Sequence, residues 1–263
     1  MTTNGDARTM EKTHFARYSA VIRTTNGNVM DERLLMAQDG PLQVYYAPFE
    51  HVNRDAKVAI VGITPGKTQM KNALHEAKRQ MLVGTTEGEI LRLAKSTAGF
   101  SGPMRLNLTA LLDRIGLGER LGLASSAELF SSARHRLHTC SVLPFPTFVS
   151  GDDYRGTPDP LKRPFLREQI RQHFEPVVKE LRSAFFLPLG PVPTRVLLAL
   201  AGEGLLDRDR VLDGMPHPSG ANGERINYFL GKKSRECLSG KTDATALDRA
   251  REELVKRVGR IAD

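Results

Sequence analysis

The chain has 263 residues, a net charge of +8, 40% hydrophobic and 26% charged residues. That length and composition fit one large domain with a real core and exclude disorder as a description of the whole chain. No apolar run reaches the roughly 18–20 residues of a membrane span, the opening MTTNGDARTM lacks the apolar stretch of a secretory signal, and Cys140 and Cys237 cannot build a disulfide scaffold, so a reduced, cytoplasmic setting with no membrane partner is expected.

A polar N-terminal tail of about a dozen residues, through Lys12, is expected to be mobile. A mixed region follows and ends in PLQVYYAPFEHVN. KVAIVG (57–62) is a continuous apolar run closed by glycine, which predicts a buried parallel strand. Residues 68–97 predict two helices with a break near Gly84-Thr85-Thr86. In MRLNLTALLDRIGL, Leu108, Leu111, Leu112 and Ile115 recur at helical spacing. HTCSVLPF (138–145) predicts a second buried strand, followed by a long proline- and glycine-rich loop from Pro144 to Pro164.

FLREQIRQHFEPVVKELRSA predicts a helix bent or restarted at Pro176. FFLPLG reads as a third strand, PTRVLLALAGEG as a helix with a glycine stop, and RVLDGMPHP as a short fourth strand. In residues 242–261, Leu247, Leu254, Val258 and Ile261 fall on one face of a last helix. Strands alternating with helices predict an α/β fold: a three-layer αβα sandwich around a small parallel sheet of about four strands, in one domain spanning 1–263. Ligands bind at the carboxyl ends of such strands.

GITPGKT (62–68) nearly matches a phosphate-binding loop. Only three residues separate Gly62 from Gly66, Pro65 removes a backbone donor, and HTCSVLPF and FFLPLG carry no acid for magnesium. A nucleotidase is therefore set aside. Between Arg225 and Lys241, five cations face the single acid Glu236, half of the chain's positive excess. Such a run is a solvated face or a contact for a polyanion.

Several segments, in order over roughly residues 57–231, resemble the uracil-DNA glycosylase superfamily. GITPG resembles its first motif, GFSGPMRLNLTALLDRIGL (99–117) the aromatic loop and the helix behind it, FFLPLGPVPTRVLLAL (185–200) the penultimate strand–turn–helix, and HPSGAN (217–222) the second motif. Members with an iron–sulfur cluster hold it with four cysteines; this chain has two and resembles the cluster-free branches. The resemblance implies a hydrolase, a monofunctional DNA N-glycosylase. Such an enzyme flips out a pyrimidine-type base and leaves an abasic site, in repair or antiviral defence. It implies no metal, no organic cofactor and no obligate protein partner; DNA is the partner.

The same resemblance assigns roles. His217 would donate to the departing base's carbonyl. Thr64 stands where other members carry the residue that orients the attacking water. Gly62, Ile63, Pro65 and Gly66 would wall the base pocket, and Phe100 would stack on the base. Thr139, Cys140 and Ser141 stand where a strand asparagine commonly reads the pyrimidine edge, which implies a wider pocket and a base other than plain uracil. Ser219, Gly220, Asn222, Arg225, Lys232 and Lys233 would meet DNA, with Arg225 a better wedge than Ala221. Lys67, Gln69, Lys71 and Lys78 could reach sugar or phosphate. Threonine cannot act as a base near neutral pH, so Asp152, Asp153 and Glu224 are the open candidates for activating water. The other reading is a non-catalytic module of the same fold that recognises modified or abasic DNA.

Overall fold

The computed structural model describes residues 13–25, 28–99 and 102–261. The predicted tail through Lys12 and the predicted stacking ring Phe100 lie outside the described residues.

The chain opens with helix α1 (His14–Thr24) and an antiparallel hairpin, β1 (Leu35–Asp39) and β2 (Leu42–Tyr45). Strand β3 (Val58–Gly62) then leads into α2 (Lys67–Leu82) and α3 (Glu87–Ala98), separated at the predicted break, where Gly84 has φ +77°. Helices α4 (Gly102–Arg114) and α5 (Leu117–Arg120) precede β4 (Leu137–Ser141). Two short strands follow, β5 (Thr147–Val149) and β6 (Asp152–Asp153). Helices α6 (Pro164–Gln169) and α7 (Glu175–Glu180) are joined by a π-helical turn over Ile170–Phe174. That widened turn is the form the predicted bend takes, because Pro176 has no N–H to donate to the preceding turn. Strand β7 (Phe185–Pro188), α8 (Pro191–Gly202), α9 (Gly223–Phe229) and α10 (Ala244–Val258) complete the chain.

The parallel sheet runs β4-β3-β7, with Ile60 opposite Thr139 and Leu187. The predicted fourth strand reduces to one parallel bridge, Phe186 to Val211. Side chains alternate across this sheet as the period of two demands. Val58, Ile60, Phe185 and Leu187 pack on Leu108, Leu111, Leu112, Phe229 and Leu254 from α4, α9 and α10. Ala59, Val61 and Phe186 pack on Ile170, Phe174, Val196, Leu197 and Leu200 from the π turn and α8. Burial on both faces explains the unbroken apolar sequence of β3. The layers are therefore helix, sheet, helix.

A second sheet, β1-β2-β5-β6, is antiparallel and was not expected. It occupies the stretch read as a mixed region and part of the predicted loop from Pro144 to Pro164. Together with α1, α2 and α3 it builds a third core around Tyr46, Phe148, Met70 and Leu74. Among the described residues no helix is long and apolar enough to cross a membrane.

Candidate functional site

The loops leaving β3, β4, β7 and the Val211 bridge meet at the carboxyl edge of the parallel sheet. There they line a cavity of about 760 Å³. Gly62, Ile63, Thr64, Pro65, Gly66, Thr139, Cys140, Ser141 and His217 all line it, so the predicted pocket residues come together. Its size is that of a pocket for a drug-sized ligand, larger than a bare pyrimidine needs. Phe49 and Phe145 are buried rings in its wall, and Phe145 meets His14 and His173 edge-on at 5.2 and 5.0 Å.

His217 is held from three sides. Its Nδ1 accepts the Ser219 N–H at 3.2 Å, which assigns the ring proton to Nε2. Asn107 on α4 donates to the Pro218 carbonyl at 2.9 Å and pins the loop. Gly190, at φ +92°, lets the turn after β7 approach closely; a Cβ there would stand 3.4 Å from His217 Cδ2. Half-burial pushes the imidazole pKa down, so the ring is neutral at pH 7 and presents one N–H donor.

Thr64 is tied to backbone groups on both sides. Its hydroxyl donates to the Phe145 carbonyl at 3.0 Å and accepts the Thr147 N–H at 3.1 Å. The side chain ties the loop after β3 to the loop after β4.

Of the three candidate carboxylates, only Asp153 lines the cavity. Its Oδ1 accepts the Lys67 N–H at 2.9 Å and caps α2 from across the chain. Gly66 makes this possible, since a Cβ there would lie 2.9 Å from Asp153 Oδ2. Asp152 is exposed and pairs with Val149 in the small sheet. Glu224 is spent on structure: Lys233, the Ser239 N–H and hydroxyl, and the Thr242 hydroxyl all bond to it and hold its pKa far below the usual carboxylate range.

The residues expected to meet DNA lie beyond the cavity. Ser219 Oγ accepts from Asn222, and Arg225 donates to Asn222 Oδ1 and to the Lys241 carbonyl, so Arg225 is braced against the C-terminal loop. Gly220 is exposed on the same 3₁₀ turn. Lys233 is paired with Glu224 at 2.7 Å, whereas Lys232 is exposed on the adjacent turn.

Glu50 and Lys95 are among the lining residues missed in the sequence. Glu50 lies behind the pocket, accepts the Tyr46 hydroxyl at 2.7 Å through Oε1, and leaves a buried Oε2 without a partner among the described residues. Burial raises its pKa to about 7. Lys95 is buried on α3, donates to the His51 carbonyl at 2.6 Å, and is lowered by burial to about 8. Perturbed groups in a cleft mark functional sites. A glutamate inside the apolar run QVYYAPFEH, and a lysine beside the Ile90, Ala94, Ala98 stripe, were the available signals. Cys140 is half-buried in the cavity wall, and desolvation pushes its thiol up to about 12, so it stays a thiol and packs as a small apolar group.

Glu50 gives a stability test. Its pKa is raised on folding, so its stabilising effect is complete below the ordinary carboxylate range and drains away as pH rises to about 7. Glu50→Gln is expected to shrink the stability difference between pH 5 and pH 8, by up to roughly 3 kcal/mol, in urea unfolding curves. The same pH difference in both proteins would place Glu50 in solvent.

An α/β protein with a deep cavity at the carboxyl edge of its parallel sheet, walled by a neutral histidine, a carboxylate and a buried lysine, is the class that fold and site define. The chain belongs to the family of YoxB. It is 37% identical over 228 residues to the uncharacterized protein YoxB of Bacillus subtilis (strain 168), a match covering 86% of this chain and 88% of the relative. No protein-family model matches the chain, and no solved structure matches it. Among the described residues no group of three or more His, Cys, Asp or Glu could hold a metal ion.

Proposed function

We propose that the protein is a DNA glycosylase that draws a pyrimidine-type base into the cavity and hydrolyses its N-glycosidic bond. The observation that carries this reading is His217: a neutral imidazole of fixed tautomer in a cavity bounded by the ends of all the parallel strands. Breaking the bond moves its electron pair onto the base, and the negative charge reaches a ring carbonyl. A preorganised N–H donor stabilises that charge by roughly 3–4 kcal/mol. A neutral ring suits this task, because it donates a hydrogen bond without surrendering the proton.

The sugar left behind has oxocarbenium character and takes the oxygen of water at C1′. Asp153 is the carboxylate best situated to accept the water's proton, and its negative charge also favours the cationic sugar. Glu50, half-protonated near neutral pH, can in its protonated form both donate to and accept from a pyrimidine edge, the task the resemblance gives to a strand asparagine. The cavity's volume favours a modified base over plain uracil.

The sheet order β4-β3-β7 followed by the Val211 bridge, with ligand loops at the carboxyl ends, is compatible with the resemblance. One observation favours the non-catalytic reading: the Thr64 hydroxyl is committed to backbone groups on both sides. The test is incubation with duplexes and single strands carrying natural and modified pyrimidines, followed by alkali. Strand scission that needs His217 supports excision; tight binding with no scission for any base supports the module.

Lys232 supplies a separate test of the DNA face. Lys233 is already paired, so its reversal would disturb Glu224 as well. Lys232→Glu is expected to weaken binding across all sequences and to lower the slope of log K against log salt by about 1. An unchanged slope in a salt titration would leave Lys232 as a solvated charge.

A further inference from the structure

A second cavity, of about 300 Å³, lies beside the first and shares Lys95, Gly99 and Thr139 with it. Its remaining wall comes from the amino-terminal half of β4 and the turn before it, from α3 and α4, and from His51, Asn53 and Phe130, away from the loop of His217. Arg92, Arg105 and Arg134 converge on it with Lys95, and among the described residues no Asp or Glu lines it. Arg92 is paired with Glu89, outside the lining. Lys95 and Arg134 are held by neutral oxygens, the His51 carbonyl and the Ser96 hydroxyl. Arg105 lies 5.3 Å over the Phe130 ring.

The floor carries an independent signal. His138 is 2% exposed and lines this cavity. Its Nδ1 accepts the Asn53 N–H at 3.3 Å, so the proton is on Nε2, and that buried donor has no partner among the described residues. A buried donor left unsatisfied loses its water partner without replacement, which is unfavourable. Crowding also leaves its mark on Arg134, whose pKa is lowered by burial first and then by Arg105 and Arg92. Two cations held by neutral oxygens, Lys95 and Arg134, and an orphan donor in one recess are unfavourable together unless an acceptor of negative charge joins them. Guanidinium forks match phosphate and carboxylate oxygens in pairs.

We infer that this side chamber is an oxyanion-binding subsite for a phosphate-type group, with Arg134 and the His138 Nε2–H as its principal donors. It deepens the glycosylase reading, because it opens beside the same pocket, but the binding itself does not depend on catalysis. The anion has two sources: a substituent or phosphate of the nucleotide in the main cavity, or a separate small anion.

The test is calorimetric titration of the full chain with inorganic phosphate at constant ionic strength set by chloride. Wild type is expected to bind, and Arg134→Gln to weaken binding at least tenfold. Arg105→Gln serves the same purpose should Arg134→Gln fail to fold. Arg249→Gln, an exposed change on α10, is expected to leave binding unchanged. No heat with phosphate, or binding indifferent to the Arg134 and Arg105 changes, would overturn the subsite. Repeating the titration with saturating DNA identifies the source: competition makes the anion part of the nucleotide, and independent binding makes it a separate ligand. Phosphate binding without base release would defeat the glycosylase reading alone; base release without phosphate binding would defeat only the subsite.

Discussion

His217→Ala is expected to cut the single-turnover rate of base release by roughly 10²–10³-fold while leaving DNA affinity within a few fold. On the proposed mechanism the charge that His217 meets develops only as the base departs, so the interaction belongs to the transition state and not to ground-state binding. The fold should tolerate the change, because the ring is half-buried and the loop keeps its Asn107 anchor. Substitution of Asn107 by alanine should produce a milder version of the same defect, since it loosens the loop without removing the donor. Thr64→Ala gives the contrast. Its hydroxyl bonds two backbone groups of the loop after β4, so its loss should appear in stability before it appears in rate. A His217→Ala enzyme with unchanged rate would remove the residue on which the mechanism turns.

Asp153→Asn is expected to lower the rate by about 10²-fold or more, the usual range for a lost general base. Asparagine can still accept the Lys67 N–H and cap α2, so the variant removes charge and basicity while keeping the helix end. Gly66→Ala attacks the same group from the other side. The new methyl would fall 2.9 Å from Asp153 Oδ2, and the flexible carboxylate must swing away. The two variants should therefore share one phenotype: normal folding, near-normal binding and slow release. Single-turnover kinetics on both, with thermal unfolding as the control, decides the point. Full rate in both would return Asp153 to a helix cap and nothing more.

The parallel layer was legible because its strands carry their own signature. Val58 to Val61 and Phe185 to Leu187 are buried from both sides, and only an unbroken apolar run satisfies that. The antiparallel sheet was not legible for the opposite reason. Strands β5 and β6 are three and two residues long and sit inside proline- and glycine-rich sequence. Strand β5 pairs with distant β2, and β6 only extends that pairing across the turn at Ser150 and Gly151. The fourth strand shrank to a bridge because Arg210 and Asp213 flank only two buried residues, Val211 and Leu212.

The site divides the same way. GITPG and HPSGAN are contiguous loops, so their residues could be named in the sequence and then found around one cavity. Glu50 and Lys95 are 45 positions apart in the chain and become neighbours only when α3 packs behind the segment after β2. Asp153 could be named as one of three acids, but only its place in the cavity wall beside Gly66 and Lys67 singles it out. The arginine chamber draws on β4, α3, α4 and the turn before β4, and no linear motif encodes it.

The most direct measurement is the fate of water oxygen. Wild-type protein is incubated in ¹⁸O-labelled water with DNA carrying the base that gives alkali-labile sites, and the products are weighed by mass spectrometry, with a parallel reaction quenched by borohydride. Hydrolysis through Asp153 and His217 places ¹⁸O on C1′ of the abasic sugar, releases the free base without label, and yields no protein–DNA adduct. Intact DNA for every base tried, or a borohydride-trapped adduct through Lys95 in place of the labelled sugar, would contradict it.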